Sequence, residues 1–260
     1  MEFLEVGGHR LETWRQDAGG GPAAPTLVFL HEGLGSVGQW RDFPLRLSQA
    51  TGLSTFAYSR AGYGRSSSIQ LPRPVRYMHD EALLLPQILA AAGIVEPILV
   101  GHSDGASIAI LYAGTGAPMR ALLLEAPHVF PEESGLASIA RVRDAYSKTD
   151  LRARLARHHD DVDAAFLGWS GAWLHPDFRG WNLESSLPGI RAPILIVQGE
   201  DDEYGTGAQI EAIRHGAKVP VQVRLLAECG HAPHREKPEE TLGAMSGFLK
   251  NFLGAPIQGG

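Results

Sequence analysis

Gly101-His102-Ser103-Asp104-Gly105 is a serine with a glycine two positions away on each side. It directly follows the apolar run Pro97-Ile98-Leu99-Val100 and precedes Ala106–Ala113, whose pattern is helical. A serine so placed sits on a tight strand-to-helix turn, because a Cβ at either glycine would collide with a neighbouring element. The turn lifts the Ser103 hydroxyl clear of the backbone, and the helix N-terminus aims its amides at the same space. The chemistry this permits is nucleophilic attack by an activated hydroxyl.

A serine hydroxyl needs a base, and the base needs an orienting acid. Of eleven histidines, His231 is the expected base. It follows the run Val221–Leu226 through Glu228-Cys229-Gly230, on a loop that can reach the sheet edge where Ser103 lies. The acid should come from a strand-end loop between serine and histidine in sequence. Ile194–Val197 leads into Gln198-Gly199-Glu200-Asp201-Asp202-Glu203. Asp202 is the expected acid, with Asp201 the near alternative and Glu125, after Ala121–Leu124, the third. Developing negative charge on a carbonyl oxygen needs donors. The Asp104 amide, next after the serine, is one. The other should come from His31-Glu32-Gly33-Leu34-Gly35-Ser36, with Gly33 preferred and Glu32 the fallback.

The elements that must position these groups follow from patterning. Phe3–Val6, a Gly7-Gly8 turn and Arg10–Trp14 read as a hairpin. Thr26–Leu30, Ser54–Tyr58, Ile98–Val100, Ala121–Leu124, Ile194–Val197 and Val221–Leu226 are short apolar runs. Such runs fit strands buried on both faces of a mainly parallel sheet. Helical patterns at Tyr77–Ala92, Ala106–Ala113, Gln209–His215 and Pro238–Phe252 alternate with them, which predicts an α/β fold with helices on both sides. From about Phe130 to Arg191 no strand-like run appears. Leu136–Tyr146, Leu151–His158 and Val162–Trp173 look helical there, and the interval is too long for an ordinary loop. The expected organisation is a core of residues 1–129 and 192–260 with a helical cap at 130–191. Gly19–Pro22 and Gly259-Gly260 read as flexible punctuation.

The order and wording of these motifs resemble the α/β-hydrolase superfamily. His31-Glu32-Gly33, Gly101–Gly105, Gly199–Asp202 and Gly230-His231-Ala232-Pro233-His234 carry the likeness, and Tyr58–Ser66 is similar to that family's Arg-Gly-x-Gly-x-Ser segment. The resemblance covers nearly the whole chain, with the family's order Ser, Asp, His. It implies an α/β-hydrolase fold, a mostly parallel eight-stranded sheet flanked by helices with a small helical cap. It also implies Ser103 as nucleophile, His231 as base, Asp202 as acid, and Gly33 and Asp104 as oxyanion donors. Two positions depart from the family pattern. Glu32 stands where a glycine is usual, and Asp104 where an apolar residue is common. The Asp104 side chain either meets a polar substrate or points away.

The implied function is hydrolysis of a small carboxylic ester by a serine hydrolase without a cofactor or metal. Lactones, amides or the carbon–carbon bond of a diketone-like acid are alternative substrates for the same triad, and a non-catalytic ligand-binding protein is the alternative from another class. Carbon–carbon cleavage would call for a basic residue, for which Arg60, Arg65, Arg141 and Arg143 are available. His128, at the start of the cap, is expected to line the pocket. Trp169 and Trp173, four apart on one helix face, are expected to wall it. His102, His31 and His234 are expected to brace the elbow and its loops. His158-His159-Asp160-Asp161 invites a metal reading, but adjacent helical residues point apart, and a solvated helix end is expected instead.

Composition sets the remaining bounds. The chain has 260 residues, 44% of them hydrophobic, and a net charge of −6, which disfavours nucleic acid and anionic membranes as partners. The single cysteine, Cys229, allows no intramolecular disulfide. No apolar run approaches the roughly 20 residues that span a bilayer. Met1–Glu5 lacks a signal-peptide pattern, so a cytoplasmic setting is the expectation.

Overall fold

The computed structural model describes residues 2–19, 21 and 24–253. Gly20, Pro22, Gly259 and Gly260, four of the punctuating residues, lie outside them, as do the last seven residues of the expected core. Among the described residues, eight strands form one sheet: β1 (Glu2–Val6), β2 (His9–Gln16), β3 (Thr26–Leu30), β4 (Ser54–Tyr58), β5 (Pro97–His102), β6 (Ala121–Glu125), β7 (Ile194–Gly199) and β8 (Val221–Leu226). Their spatial order is β1-β2-β4-β3-β5-β6-β7-β8. The β1–β2 hairpin pairs antiparallel and joins β4 antiparallel, and every other pairing is parallel. Gly7 and Gly8 turn the hairpin at φ 58° and 78°, the left-handed pair that matches strand twist.

The apolar runs are continuous because both sheet faces are covered. Val28, Leu30, Leu99, Leu122, Leu124, Ile194 and Ile196 join one buried cluster. Their strand neighbours Leu27, Phe29, Ile98, Val100, Leu123, Leu195 and Val197 join the other. This is the two-residue period of a strand read against two apolar layers. The helices making those layers are α1 (Phe43–Thr51), α2 (Tyr77–Ala91), α3 (Asp104–Gly114), α4 (Glu133–Tyr146), α5 (Leu151–Leu155), α6 (Val162–Trp173), α7 (Gly207–Gly216), α8 (Pro233–Glu236) and α9 (Pro238–Leu253). Helices α1 and α9 pack together against one face, and α2 and α3 pack together against the other.

Helices α4, α5 and α6 occupy the interval between β6 and β7, followed by 3-10 segments at Pro176–Gly180 and Glu184–Gly189. The last segment packs on α3 and α7, so the interval returns to the main layer before residue 191. Helix α3 begins at Asp104, earlier than the apolar pattern from Ala106 indicates, because the elbow itself delivers the chain into helical geometry. Helix α5 ends at Leu155, and His159 is not at a solvated helix end. It is 5% exposed. Its Nδ1 accepts the Gly64 amide at 2.9 Å, which leaves Nε2–H to donate to Leu34 O at 2.9 Å. No described helix is long and apolar enough to cross a membrane.

Candidate active site

Ser103 sits between β5 and α3 at φ 53° and ψ −117°, a backbone conformation costly for a residue with a side chain. The flanking glycines are sterically required. A Cβ on Gly101 would lie 2.5 Å from Gly105 O, and one on Gly105 would lie 1.9 Å from Leu30 O. The strain is stored where the hydroxyl is presented to a cavity of about 200 Å³. Ser103, Gly33, His128, Trp169, Trp173 and His231 all line that cavity.

His231 lies on the loop after β8, and its Nδ1 is 2.9 Å from both carboxylate oxygens of Asp202. Asp202 also accepts from Gln198 Nε2 at 2.7 Å and from the Tyr204 amide at 2.8 Å. Burial works against ionising Asp202, but the hydrogen bond and charge of His231 and the Tyr204 amide hold its carboxyl down at about 2. An acceptor on Nδ1 puts the proton there and leaves Nε2 free to take another. Among the described residues, neither alternative acid hydrogen-bonds to His231. Asp201 is exposed, and its amide donates to Cys229 O. Glu125 accepts from both the amide and the Nδ1 of His234, the latter at 2.8 Å. His102 runs beneath the histidine loop, its Nε2 2.7 Å from His231 O.

The loop after β3 lines the same cavity through Glu32, Gly33 and Leu34. Among the described residues, the amides of Gly33 and Asp104 donate to no protein acceptor. Gly33 has no room for a side chain, since a Cβ would lie 2.1 Å from Trp169 Nε1. The neighbouring Glu32 carboxylate lies 3.6 Å from His102 Nδ1, an ion-pair distance. Burial opposes its charge, but His102 holds it well below the usual carboxylate range.

The Asp104 side chain turns away from the cavity and is fully buried. Tyr77 OH donates to its Oδ2, and Trp173 Nε1 donates to its Oδ1 at 3.1 Å. Arg60 Nη2 is 4.0 Å from Oδ2. Burial raises the Asp104 carboxyl, with Arg60, Tyr77 and Trp173 pulling the other way. The carboxylate therefore anchors a wall tryptophan and the second helix rather than facing substrate space.

His128 is 3% exposed, its ring edge-on to Trp173 and 5.6 Å from that of His231. Burial first, then the nearness of His231, pushes it down to about 3, so it is a neutral imidazole in the cavity wall. Tyr204, whose ring is 4.6 Å from His231, and Arg235 also line the cavity. Neither was singled out from sequence. Both follow residues of the sequence motifs closely, Asp202 by two positions and His234 by one, and that adjacency was the available signal. Of the basic residues considered for a carboxylate, Arg60 is buried and Arg141 donates to Ser138 Oγ.

A mostly parallel eight-stranded sheet, with a serine on a strained strand-to-helix turn and a histidine–aspartate pair on later strand-end loops, is the α/β-hydrolase architecture. The chain belongs to the alpha/beta hydrolase family, whose model matches residues 27–244. It is similar to the 2-succinyl-6-hydroxy-2,4-cyclohexadiene-1-carboxylate synthase of Salmonella enteritidis PT4 (strain P125109), with 24% identity over 262 residues, covering 89% of this chain and 96% of that protein. Among solved structures, the enol-lactonase from Burkholderia xenovorans LB400 superimposes with a TM-score of 0.72 at 18% identity, covering 98% of this chain and all (100%) of that one. An esterase from Exiguobacterium antarcticum superimposes with a TM-score of 0.75 at 16% identity, covering 95% and 98%. These two likenesses establish the fold.

Proposed function

We propose that the chain is a serine hydrolase that cleaves a small carboxylic ester through an acyl-enzyme intermediate. The observation that carries this reading is the His231–Asp202 pair, held at 2.9 Å, in the cavity that Ser103 lines. His231 Nε2 takes the Ser103 proton as Oγ bonds the carbonyl carbon, and the carbonyl electron pair moves onto oxygen. The Gly33 and Asp104 amides receive that oxyanion. Its collapse breaks the ester bond, and the leaving alkoxide takes the proton from His231. Water, deprotonated by His231, then releases the acid and regenerates Ser103. His128, Trp169 and Trp173 are the proposed substrate walls, and the small cavity favours a small substrate. The scheme draws on no cofactor or metal.

A second reading keeps the triad and changes the bond to a lactone, an amide or a carbon–carbon bond of a diketone-like acid. Arg235 in the cavity wall favours it, as a cation for a substrate carboxylate. So does the likeness to a 2-succinyl-6-hydroxy-2,4-cyclohexadiene-1-carboxylate synthase and, in fold, to an enol-lactonase. A binding protein without catalysis is the rival of another class. Turnover of short-chain aryl esters by the wild type and Ser103→Ala tests the reading. Turnover should vanish in the variant with the circular dichroism spectrum unchanged, and undiminished turnover would refute the assignment.

A further inference from the structure

One buried side chain holds the loop after β3 from beneath. Arg60 follows β4 by two positions and is 1% exposed. Its Nη1 donates to His31 O, and its Nη2 donates to Glu32 O at 2.9 Å. Its backbone amide donates to His31 Nε2 at 3.0 Å, which fixes the imidazole proton on Nδ1. That Nδ1–H donates to Glu32 O at 2.7 Å, and the Gly35 amide donates to the same oxygen at 3.1 Å. Burial lowers the His31 pKa well below its ordinary value, and the Arg60 charge adds to this, in keeping with the neutral tautomer.

The Glu32 carbonyl therefore collects three donors, one of them a cation. This oxygen and the Gly33 amide belong to one peptide group. The group is planar and trans, so the amide points away from the oxygen. Donors on one end fix the plane, and a charged donor polarises the amide hydrogen at the other. Gly33 lines the cavity with Ser103, and its amide has no protein acceptor among the described residues. The same guanidinium lies 4.0 Å from the carboxylate of Asp104, whose amide is the other donor.

We infer that Arg60 is the positioning residue of the oxyanion site, its forked hydrogen bonds to the His31 and Glu32 carbonyls orienting and polarising the Gly33 amide toward the developing charge. The inference rests on the proposed Ser103 chemistry. Lysine keeps the charge but lacks the planar fork, so it cannot hold both carbonyls.

The test compares wild type, Ser103→Ala and Arg60→Lys with a short-chain aryl ester and an aryl trifluoromethyl ketone, which forms a tetrahedral oxyanion on the serine. Arg60→Lys should lower kcat about 10- to 100-fold, since losing one oxyanion donor outright costs about 100- to 1000-fold. KM should stay within about threefold, and the ketone's inhibition constant should rise by the factor by which kcat/KM falls, as expected for an interaction made to the oxyanion. A folded Arg60→Lys with wild-type kcat, or one that loses KM while binding the ketone normally, overturns the inference. Should that variant not fold, His31→Leu removes one donor from the same carbonyl and keeps Arg60. It should lower kcat and ketone affinity together, and unchanged values overturn the inference. Turnover retained in Ser103→Ala would instead overturn the proposed function, whatever the Arg60 variant does.

Discussion

Gly33→Ala gives the sharpest local test of how the cavity is built. The added Cβ would lie 2.1 Å from Trp169 Nε1 and 2.3 Å from Cδ1. Carbon contacts settle near ~3.5 Å, so the loop and the indole must separate by roughly 1.4 Å. If the loop yields, the Gly33 amide moves by on the order of 1 Å, and a misplacement of that size costs about 100-fold in rate. That is about 3 kcal/mol of transition-state stabilisation, in the range of one oxyanion donor. Removing the obstruction should remove the penalty. In a Trp169→Ala background, Gly33→Ala should cost no more than about threefold, a coupling of about 2 kcal/mol, within the range for residues in contact. The assay is kcat for a short-chain aryl ester across the four proteins of the cycle, with thermal melts to confirm folding. Wild-type kcat in Gly33→Ala, or an equal loss in both backgrounds, would refute the reasoning.

Three further outcomes follow. The Asp202 carboxyl stands at about 2 in the fold against 3.8 when unperturbed, so the unfolded chain binds the extra proton between those values. Its contribution, about 2 kcal/mol at 1.36 kcal/mol per unit, is complete above pH 4 and is lost as pH falls toward 2. Urea melts of Asp202→Asn should show a flatter pH dependence there than wild type, and identical slopes would count against the Asp202–His231 contact. Trp173→Phe takes a donor from the buried Asp104 carboxylate, and should cost about 2 kcal/mol and lower Tm by roughly 5 °C, with no change in Tm arguing against the contact. His128→Ala should raise KM while leaving the shape of the kcat/KM profile between pH 5 and 8 unchanged, because His128 titrates at about 3. A lost inflection in that range would contradict its neutral state.

The sheet was legible because strands covered on both faces must be apolar at every position, as Leu27 to Leu30 are. The elbow was legible because only glycine tolerates Leu30 O at 1.9 Å from a Cβ position. Asp202 could be preferred over Asp201 from the turn spacing after Gly199, and it is Asp202 that meets His231. Other features depend on partners distant in sequence. Helix α1 went unread because Phe43–Thr51 mixes polar and apolar residues and draws its burial from α9. The direction of the Asp104 carboxylate is set by Tyr77 and Trp173, 27 and 69 positions away. His159 looked like a solvated helix end, since nothing local announces the Gly64 and Leu34 groups that claim its ring. Arg60 was one of four arginines available for a substrate carboxylate, and its three bonds to the His31-Glu32 segment come only from β3 and β4 pairing in register.

The central claim is that Ser103 is an activated nucleophile. The most direct measurement is intact-mass and peptide analysis after exposure to a fluorophosphonate, for wild type, Ser103→Ala and His231→Ala. The account predicts one adduct per chain on Ser103 in the wild type, none in Ser103→Ala and much slower labelling in His231→Ala. A wild-type chain that stays unlabelled, or carries its adduct on another residue, would contradict it.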